Sequence, residues 1–362
     1  EGIGRYIFET TKAMVLAHPE DTFYFLFDRP YDAKFVYADN IVPIVVHPQA
    51  RHPWLWYIWL EWAVPYYLKR YEVDVFYSGD TYLSMKTRVP TLLVSHDIAY
   101  KHYPDHIKKI HLDYYKSHFP KFHRKADHIV AVSEYTRQDI ISTYDLDPDG
   151  VTVGYNASPS GFAPLAEEEK DKIKERLTDG DPFFIYVGSL HPRKNVVRLI
   201  QAFDHYKKQH RTAHKLVLVG RLAWKNEELQ KVYSEILHKD DIIFTGHVSH
   251  DDLPRYIAAA EALTYVSLFE GFGIPILEAM SCDTAVITSN ISSMPEVAGD
   301  AALLIDPTDI SSISEGMHRI ITDEHYTAEL IKRGRERVKQ FSWVATGAHI
   351  YKCLEEIKGL SA

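Results

Sequence analysis

Two series of short apolar segments, each alternating with helical stretches, constrain the fold of this 362-residue chain more than any other feature. The segments are rich in Val, Ile, Phe and Tyr and mostly apolar on both faces, which is typical of parallel strands covered by helices on both sides. The first series comprises residues 22–27, 41–46, 73–77, 91–95 and 129–132, and the second comprises residues 183–187, 215–219, 242–245, 262–266, 285–288 and 302–305. This alternation predicts an α/β protein with two doubly wound, Rossmann-like domains.

A turn-rich segment, residues 155–161 (Tyr-Asn-Ala-Ser-Pro-Ser-Gly), separates the two series and predicts a hinge. We expect a first domain over residues 1–157, a second over residues 158–341, and a C-terminal helix over residues 342–362 that returns to the first domain. Ligands of open parallel sheets bind beyond the carboxyl ends of the strands. We therefore expect the two domains to face each other across a cleft, with one ligand carried by each side.

Composition and charge exclude several classes of protein. Hydrophobic residues make up 46% of the chain and charged residues 25%, as in soluble globular proteins. The net charge of -9 argues against nucleic-acid binding, which requires a basic surface. Only two cysteines are present, Cys282 and Cys353, too few for a disulfide framework or a cysteine zinc site. We expect a cytoplasmic protein without a signal peptide.

A polar, helical stretch carries five of the twenty histidines: His102, His106, His111, His118 and His123. Their spacing lacks the tight pairs that zinc ligands form in sequence. We therefore expect solvated helix surface there and no metal site.

The segment Glu-Gly-Phe-Gly-Ile-Pro-Ile-Leu-Glu, residues 270–278, follows a predicted strand and opens a helix. Glycines let the backbone approach a ligand closely, and the unpaired amides of a helix N-terminus attract anions. Glu270 precedes the turn and Glu278 lies inside the helix, so one carboxylate can face a sugar while the other reaches a ribose. The alternative is a simple strand-turn-helix junction with two surface carboxylates.

A second cluster, residues 188–195 (Gly-Ser-Leu-His-Pro-Arg-Lys-Asn), also joins a predicted strand to a helix. Arg193 and Lys194 would place a forked guanidinium and a compact ammonium at the strand end, a combination suited to a diphosphate. The alternative is a solvated basic turn. Because both clusters lie at strand ends of the same domain, the binding interpretation is favoured for both.

The chain opens with Gly2-Ile3-Gly4-Arg5-Tyr6, which predicts a glycine turn leading into a helix over residues 6–16. Such a turn normally follows a strand, and none precedes it in this sequence. We expect the missing strand to be supplied by residues before Glu1; the alternative is that the chain has lost it.

Together these residues resemble retaining glycosyltransferases of family 4, which have the GT-B fold, over nearly the whole chain. Glu270 and Glu278 fit the family's pair of glutamates separated by seven residues, and Arg193 and Lys194 fit its diphosphate-binding pair. Residues 2–6 are similar to its first glycine loop, and Ser95-His96-Asp97 to its strand-end histidine segment. Residues 133–137 (Ser-Glu-Tyr-Thr-Arg) and 293–299 (Ser-Met-Pro-Glu-Val-Ala-Gly) also fit the family pattern.

The resemblance implies site residues and a mechanism. The implied catalytic residues are His96, Arg193, Lys194 and Glu270. The implied donor-binding residues are Gly2, Gly4, Gly188, Gly271, Phe272, Gly273, Ile274, Leu277 and Glu278. Asp97, Tyr100 and Arg137 are implied on the acceptor side. Fixed cations would stabilise the departing diphosphate without a metal or other cofactor, Glu270 would hold sugar hydroxyls, and His96 would orient the sugar.

The implied donor is a nucleoside diphosphate hexose, and the acceptor is a hydroxyl of a glycan or a lipid-linked saccharide. Residues 59–65 and 94–97 look like those of mannosyltransferase members, which favours GDP-mannose, with a UDP-sugar as the alternative. A nucleotide-sugar epimerase of the same fold and a non-catalytic sugar-nucleotide-binding subunit are rival interpretations. A dinucleotide oxidoreductase is disfavoured, because Gly2-Ile3-Gly4 lacks the third glycine and the acidic residue of that fingerprint.

A tryptophan-rich run, residues 53–68, contains Trp54, Trp56, Trp59 and Trp62. The run is interrupted by Glu61 and is shorter than a membrane span. We expect it to pack against the first domain. Peripheral contact with the inner face of the membrane, where Trp and Tyr are favoured, is the alternative, and the lysines and histidines of residues 101–125 would either attract anionic lipid or be solvated.

Overall fold

The computed structural model describes residues 2–50, 52–220 and 227–359. The chain divides into two compact units. The first comprises Glu1–Asn156 together with Ser342–Ala362, and the second comprises Ala157–Phe341. The chain thus leaves the first unit within the turn-rich segment and re-enters it after Phe341.

The first unit contains these elements before the chain leaves it: α1 (Gly2–Ala17), β1 (Phe23–Phe27), β2 (Ile41–Val45), α2 (Pro53–Ile58), a π-helical turn (Trp59–Ala63), α3 (Val64–Arg70), β3 (Phe76–Ser78), β4 (Thr91–Ser95), α4 (Ala99–His102), α5 (Lys109–Lys125), β5 (His128–Ala131), α6 (Glu134–Tyr144) and β6 (Val151–Val153). The second unit contains α7 (Glu167–Thr178), β7 (Phe183–Val187), α8 (Val196–His210), β8 (Lys215–Val219), α9 (Glu227–Glu235), β9 (Ile242–Gly246), α10 (Asp252–Ala259), β10 (Ala262–Tyr265), α11 (Ile274–Ser281), β11 (Ala285–Ser289), α12 (Met294–Ala298), β12 (Leu303–Ile305), α13 (Ile310–Thr322) and α14 (Glu324–Val338). The last helix, α15 (Trp343–Gly359), belongs to the first unit.

All paired strands of the first unit are parallel, but they form two sheets rather than one. Strands β1 and β2 pair with Phe23 opposite Ile41, and the other sheet has the order β3-β4-β5-β6. The core of the larger sheet includes Leu92, Leu93 and Val130, which are fully buried or nearly so. Strands buried on both faces and covered by helices are the α/β arrangement that the apolar runs predict.

Two strand predictions in the first unit need correction. The predicted strand over residues 73–77 begins later, at Phe76, because the amide of Val73 donates to the carbonyl of Leu68 and stays in the turn after α3. Strand β6 was not predicted. Its three residues follow directly on a short 3-10 turn, Pro148–Gly150, which leaves too short a run for the alternating pattern to be recognised.

The glycine turn predicted at the start of the chain is wrong. Gly2 and Gly4 lie in the first turn of α1, which runs from Gly2 to Ala17. A Cβ added at Gly4 would meet nothing within 4 Å, so packing makes no demand for glycine there. The contact of both glycines with a donor phosphate stays a prediction.

Helix α15 packs against α1. A Cβ added at Gly347 would lie 2.6 Å from the Cβ of Ala13, so only glycine lets the two helices approach this closely. The Tyr351 hydroxyl donates to Asp21 at 2.5 Å, and the Thr346 hydroxyl donates to the carbonyl of Tyr155 at 2.7 Å. These contacts fix the C-terminal helix on the first unit.

The second unit has one parallel, six-stranded sheet with the order β12-β11-β10-β7-β8-β9. Its central strands β7 and β10 are adjacent, with Ala262 opposite Phe184, although they are far apart in the chain. This is the doubly wound order in which the direction of progression reverses between two central strands. The reversal leaves a crevice at their carboxyl ends, and the segments that follow β7 and β10 are those singled out from the sequence.

The four tryptophans of the α2–α3 region divide between the interior and the surface. The indole N–H of Trp56 donates to the carbonyl of Ala50 at 2.6 Å, and that of Trp59 donates to the carbonyl of Val46 at 3.0 Å. Trp54 and Trp62 are instead 75% and 62% exposed. The expectation that the run packs against its domain therefore holds for only half of it. Within the described ranges, no helix is long and apolar enough to cross a membrane.

The expectation of solvated histidines over residues 101–125 is also only partly right. His102 is exposed and lies 2.9 Å from the carboxylate of Asp139. His123 is buried: its Nδ1 donates to the carbonyl of Phe119 at 2.7 Å, and its Nε2 lies 3.0 Å from the Ser95 hydroxyl. Burial lowers the pKa of His123 to about 4, so it is a neutral core residue at physiological pH.

Candidate functional site

The candidate site begins at the carboxyl end of β7, where Gly188 continues the strand. Its amide donates to the carbonyl of Val219, and the amide of Gly220 donates to that of Gly246. A Cβ added at Gly220 would lie 1.8 Å from the carbonyl oxygen of Gly188, closer than any real contact. Gly220 was not singled out from the sequence, although a glycine directly after an apolar strand is a recognisable signal.

A short turn after Gly188 carries Arg193 and Lys194 and places both side chains at the carboxyl end of the sheet. Residues Pro192–Lys194 form one turn of 3-10 helix, capped by the His191 side chain, which accepts from the amide of Arg193. Asn195 has a left-handed backbone with φ of 61°, which asparagine tolerates better than most residues. Its buried amide nitrogen donates to the carbonyls of Val266 and Pro307, which ties the turn to the segments after β10 and β12.

Glu270 bridges the two cations. Its Oε1 accepts from Lys194 Nζ at 2.6 Å and its Oε2 from Arg193 Nη1 at 3.2 Å. The same Arg193 nitrogen donates to the carbonyl of Phe269 at 2.7 Å. Burial alone would raise the pKa of the Glu270 carboxyl, but Lys194 and Arg193 outweigh burial and lower this pKa to about 2. Glu270 is therefore a carboxylate at any physiological pH.

Two buried tyrosines lie beneath this charged group. The Tyr265 hydroxyl accepts from Lys194 Nζ at 2.9 Å, and the ammonium also lies 5.2 Å from the centre of the Tyr265 ring. The Tyr186 hydroxyl donates to the carbonyl of Ser189. Burial and the nearby negative charge of Glu270 raise the pKa of both phenols well above the ordinary value, so both stay protonated.

Two serines hold the backbone around Glu270. The Ser292 hydroxyl accepts from the amide of Glu270 at 3.0 Å and lies 2.6 Å from its carbonyl. The buried Ser293 hydroxyl lies 2.9 Å from the carbonyls of both Glu270 and Phe272. Ser293, the first residue of the segment 293–299 that fits the family pattern, thus helps to position Glu270. The motif alone gave no sign of this role.

The loop after Glu270 turns sharply into α11. Gly273 has a φ of 104°, a backbone region that favours glycine, and a Cβ there would lie 3.2 Å from Ile276. Gly271 is buried, and Ile274 is half-buried at the start of the helix. Glu278, further along the helix, is only 8% exposed, so the alternative of two surface carboxylates is wrong.

Two residues of this loop that are predicted to bind the donor have buried side chains, and their donor contacts stay predictions. The Leu277 side chain is fully buried because it faces the interior side of α11. The Phe272 ring is 4% exposed and packs edge-on against Phe341, with 5.7 Å between ring centres. Both side chains support the loop from within.

His96 follows β4 in the first unit, where it is half-buried. Its Nε2 donates to the carbonyl of Gly79 at 2.8 Å, and the ring of Tyr6 lies edge-on with 5.2 Å between ring centres. Burial lowers the pKa of His96 against the opposing effects of Gly79 and Asp97. The Asp97 carboxylate accepts from the amide of Ala99, the first residue of α4, at 2.9 Å. With Nε2 protonated, Nδ1 of neutral His96 is the acceptor nitrogen.

Two residues predicted on the acceptor side make contacts within the first unit, and their contact with an acceptor stays a prediction. Tyr100 is 3% exposed, and its hydroxyl lies 2.6 Å from that of Tyr144 inside the core of the first unit. The Arg137 guanidinium donates to the carbonyls of Val151 and Pro148 and to the Glu134 carboxylate. Arg137 therefore ties α6 to the start of β6, because its donors are directed at its own chain.

One group of metal-capable side chains occurs in the described part of the chain: His18, Glu20 and Asp21, whose ligand atoms lie within 4.8 Å of one another. It lies just after α1. His18 stacks on Tyr351 with 3.4 Å between ring centres, and Asp21 accepts from the Tyr351 hydroxyl. His18 and Asp21 thus contribute to the packing of α15 on α1.

The second unit is a doubly wound α/β unit with two cations and one carboxylate at the carboxyl ends of its central strands, which is where open parallel sheets bind their ligands. Comparison with known proteins identifies the family. Residues 1–158 match the family described as Glycosyltransferase Family 4, and residues 167–337 match the family described as Glycosyl transferases group 1. The chain belongs to the family 4 glycosyltransferases and is a glycosyltransferase of the GT-B fold.

Individual relatives agree with this assignment. The chain is 31% identical to O-antigen chain mannosyltransferase B of Escherichia coli over 75% of this chain and 71% of that protein. It is 29% identical to O-antigen chain mannosyltransferase RfbU of Salmonella typhimurium over 80% of this chain and 78% of that protein. The crystal structure of HepE of Anabaena in complex with UDP and glucose has a similar fold, with a TM-score of 0.75, 17% identity, and coverage of 98% of this chain and 96% of that one.

Proposed function

We propose that this glycosyltransferase moves mannose from GDP-mannose to a hydroxyl of a glycan or lipid-linked saccharide in polysaccharide biosynthesis. The transfer proceeds with retention of configuration and without a metal ion. The observation that carries this proposal is the ion-paired group of Arg193, Lys194 and Glu270 at the carboxyl ends of β7 and β10.

The charges of this group suit a departing diphosphate. Two cations and one carboxylate leave one net positive charge beside the loop that opens α11. Preorganised cations stabilise the negative charge that develops on the leaving group as the anomeric bond breaks. The side chains of Arg193 and Lys194 are 20% and 14% exposed, so water screens them little.

The placement of acidic residues supports metal independence. One Asp-x-Asp sequence, Asp179-Gly180-Asp181, lies in the second unit, but it precedes β7. It is therefore at the opposite end of that strand from Gly188 and the two cations. Asp181 also pairs with Lys215 at 3.4 Å.

We propose that the acceptor hydroxyl attacks the anomeric carbon from the face that the diphosphate leaves. The new C–O bond forms as the bond to the phosphate oxygen breaks, and that phosphate oxygen takes the acceptor's proton. Glu270 has no proton to donate at neutral pH, since its pKa is about 2. A carboxylate has about four acceptor positions, so Glu270 can still hold sugar hydroxyls while it accepts from both cations.

The donor assignment is supported by the two O-antigen relatives, whose names specify mannose. The buried Glu278 in α11 is proposed to hold the ribose of the nucleotide. His96, whose Nε2 is fixed by Gly79, is proposed to orient the transferred sugar. Both cysteines are free and buried, which supports a cytoplasmic site of action.

A binding panel tests the donor. GDP, UDP and ADP, each free and as its hexose derivative, are compared by thermal shift and calorimetry. A ligand present at about 100 times its dissociation constant adds about 2.7 kcal/mol of stability, so the correct nucleotide should stand out. We expect GDP and GDP-mannose to bind most tightly. Stronger binding of UDP and its sugars would overturn the base assignment.

Product analysis tests the chemistry. With GDP-mannose and a saccharide acceptor, we expect the anomeric configuration of the product to match that of the donor. Activity should survive excess EDTA. Inversion of configuration, complete loss of activity on chelation with recovery in Mg²⁺ or Mn²⁺, or release of a changed sugar without an acceptor would each refute the corresponding part of the proposal.

A further inference from the structure

An aromatic stripe runs along the exposed side of the α2–α3 region. It consists of Trp54, Ile58, Trp62 and Tyr66, which are 75%, 42%, 62% and 57% exposed. The stripe is about 18 Å long if each residue advances the helix by about 1.5 Å. Large aromatic side chains are seldom left in water in such an unbroken row, so this surface needs a partner.

The π-helical turn keeps the stripe aligned. Residues four apart in an α-helix drift by about 40° at each step, since one turn takes about 3.6 residues. The amide of Val64 donates to the carbonyl of Trp59, five residues back, so the turn Trp59–Ala63 is wider than an α-turn. The wider turn takes up part of the drift, and Trp62 and Tyr66 beyond it are exposed, as Trp54 and Ile58 are before it.

The buried side of the same helix is fixed by polar contacts, so the exposed tryptophans cannot simply rotate inwards. Trp56 and Trp59 donate to backbone carbonyls, and the Glu61 carboxylate accepts from the amide of Met85 at 2.9 Å. Glu61 is the only acidic residue between residues 53 and 70, and it is 6% exposed. The Glu61 carboxylate is thus buried and does not lie on the exposed face of the segment.

Three exposed cations lie beside the stripe. Lys86 Nζ lies 3.3 Å from the centre of the Trp62 ring, and Arg70 donates to the Tyr66 hydroxyl at 3.3 Å. Lys69 is also exposed at the end of α3. The whole chain carries a net charge of -9, so a local set of exposed cations around aromatic side chains is distinctive. Aromatic rings flanked by lysine and arginine suit the interface of an anionic bilayer, where rings sit among headgroups and cations meet phosphates.

We infer that the stripe of Trp54, Ile58, Trp62 and Tyr66 docks the protein on the surface of an anionic lipid bilayer. The rings enter the interface and Lys86, Arg70 and Lys69 contact the lipid phosphates. This inference does not depend on which sugar is transferred. It commits to a lipid surface, and a second copy of the chain is the competing occupant.

Vesicle co-sedimentation tests the inference with the full chain. The vesicles contain either phosphatidylcholine alone or equal parts of phosphatidylcholine and phosphatidylglycerol. We expect binding to the anionic vesicles, weakened by salt, and a loss of about tenfold or more in binding for Trp54→Ser with Trp62→Ser. The matched control is Leu237→Ser with Val344→Ser, which alters two residues that are 72% and 73% exposed outside the stripe. The control should bind like the wild type.

A charge variant, Lys86→Gln with Arg70→Gln, should lose the preference for anionic over neutral vesicles. Thermal unfolding confirms that each variant is folded. The inference is overturned if the wild type does not bind anionic vesicles or if the double tryptophan variant binds as well as the wild type. It is also overturned if sedimentation shows a concentration-dependent dimer that the tryptophan substitutions abolish, because the stripe would then be a contact between copies.

Discussion

Lys194 Nζ lies 2.6 Å from Glu270 Oε1, and the two side chains are only 14% and 8% exposed. The residues are 76 positions apart and meet because β7 and β10 are neighbours in the sheet. Arg193 contacts the other oxygen of the same carboxylate. A buried carboxylate of this kind affects stability as well as chemistry, because its removal leaves two cations without their counterion.

Glu270→Gln should destabilise the protein by about 3 kcal/mol, the scale for removing one partner of a buried pair. The amide oxygen can accept from one cation but carries no charge. Urea unfolding followed by fluorescence measures the loss. Glu167→Gln is the control, since Glu167 pairs with Lys170 while 78% exposed and should change stability by less than about 1 kcal/mol. Equal stability of Glu270→Gln and the wild type would show that the ion pairs of Glu270 do not stabilise the folded protein.

Arg193→Ala should lower turnover by roughly 10²–10³, the usual scale for one preorganised charge-stabilising group. The acceptor KM should change little, because Arg193 is proposed to contact the diphosphate of the donor and not the acceptor. Steady-state kinetics with varied donor and varied acceptor separate these effects. Arg176→Ala, at an exposed ion pair with Asp252, is the matched control. Wild-type turnover in Arg193→Ala would remove this residue from the site.

The strands of the second unit could be predicted closely, because β7 and β8 are apolar on both faces and end where the sequence changes character. The strands and turns of the first unit could be predicted less closely. Val151–Val153 is too short for a pattern, and the glycines of residues 2–4 signal a turn that the structure replaces with helix. Local sequence does not reveal that Val73 is held by a backbone bond to Leu68.

For the site, sequence identified the charged residues but not their contacts. Residue type and spacing pointed to Arg193, Lys194 and Glu270, whereas their mutual ion pairs depend on strand order. Motif resemblance also placed Tyr100 and Leu277 in the site, although both side chains are buried. A motif contains positions that the fold needs together with positions that the ligand needs, and residue type alone does not separate the two.

Gly220→Ala should destabilise the protein by about 1–3 kcal/mol, the scale for an overpacked interior. The added Cβ would lie 1.8 Å from the Gly188 carbonyl oxygen, and backbone cannot move aside as a side chain can. Displacing Gly188 should also weaken nucleotide binding. Thermal unfolding and calorimetry with free nucleotide measure both effects. Gly150→Ala, where a Cβ would meet nothing within 4 Å, should be nearly neutral; similar behaviour of the two variants would refute the close approach.

Because His123 is buried in its neutral form, the protein should be less stable in mild acid than at neutral pH. Burial lowers its pKa from 6.5 to about 4, so the unfolded chain takes up a proton in this range and the folded chain does not. The contribution of neutral His123 to the free energy of unfolding is fully present above pH 6.5. It falls by up to about 3 kcal/mol as the pH drops to about 4. His123→Gln should flatten the stability profile over this window, whereas His325→Gln at an exposed helix position should not. An unchanged profile in His123→Gln would assign the acid sensitivity to other groups.

Glu270, in the loop before α11, and Glu278, within α11, should contribute differently to nucleotide binding and to turnover. Glu278 is proposed to hold the ribose, whose surroundings change little during the reaction. Glu278→Gln should therefore weaken binding of free nucleotide and of the whole donor alike. Glu270 is proposed to hold the sugar that becomes oxocarbenium-like, and interactions made in the transition state act on the chemical step.

Glu270→Gln should accordingly lower turnover while free nucleotide binds nearly as in the wild type, under conditions where the variant is folded. Calorimetry with free nucleotide beside donor kinetics, carried out on both variants, separates the two roles. Loss of nucleotide binding in both variants would mean that the ion pairs of Glu270 shape the nucleotide pocket as a whole. Loss in Glu270→Gln with normal binding in Glu278→Gln would show that the roles are reversed.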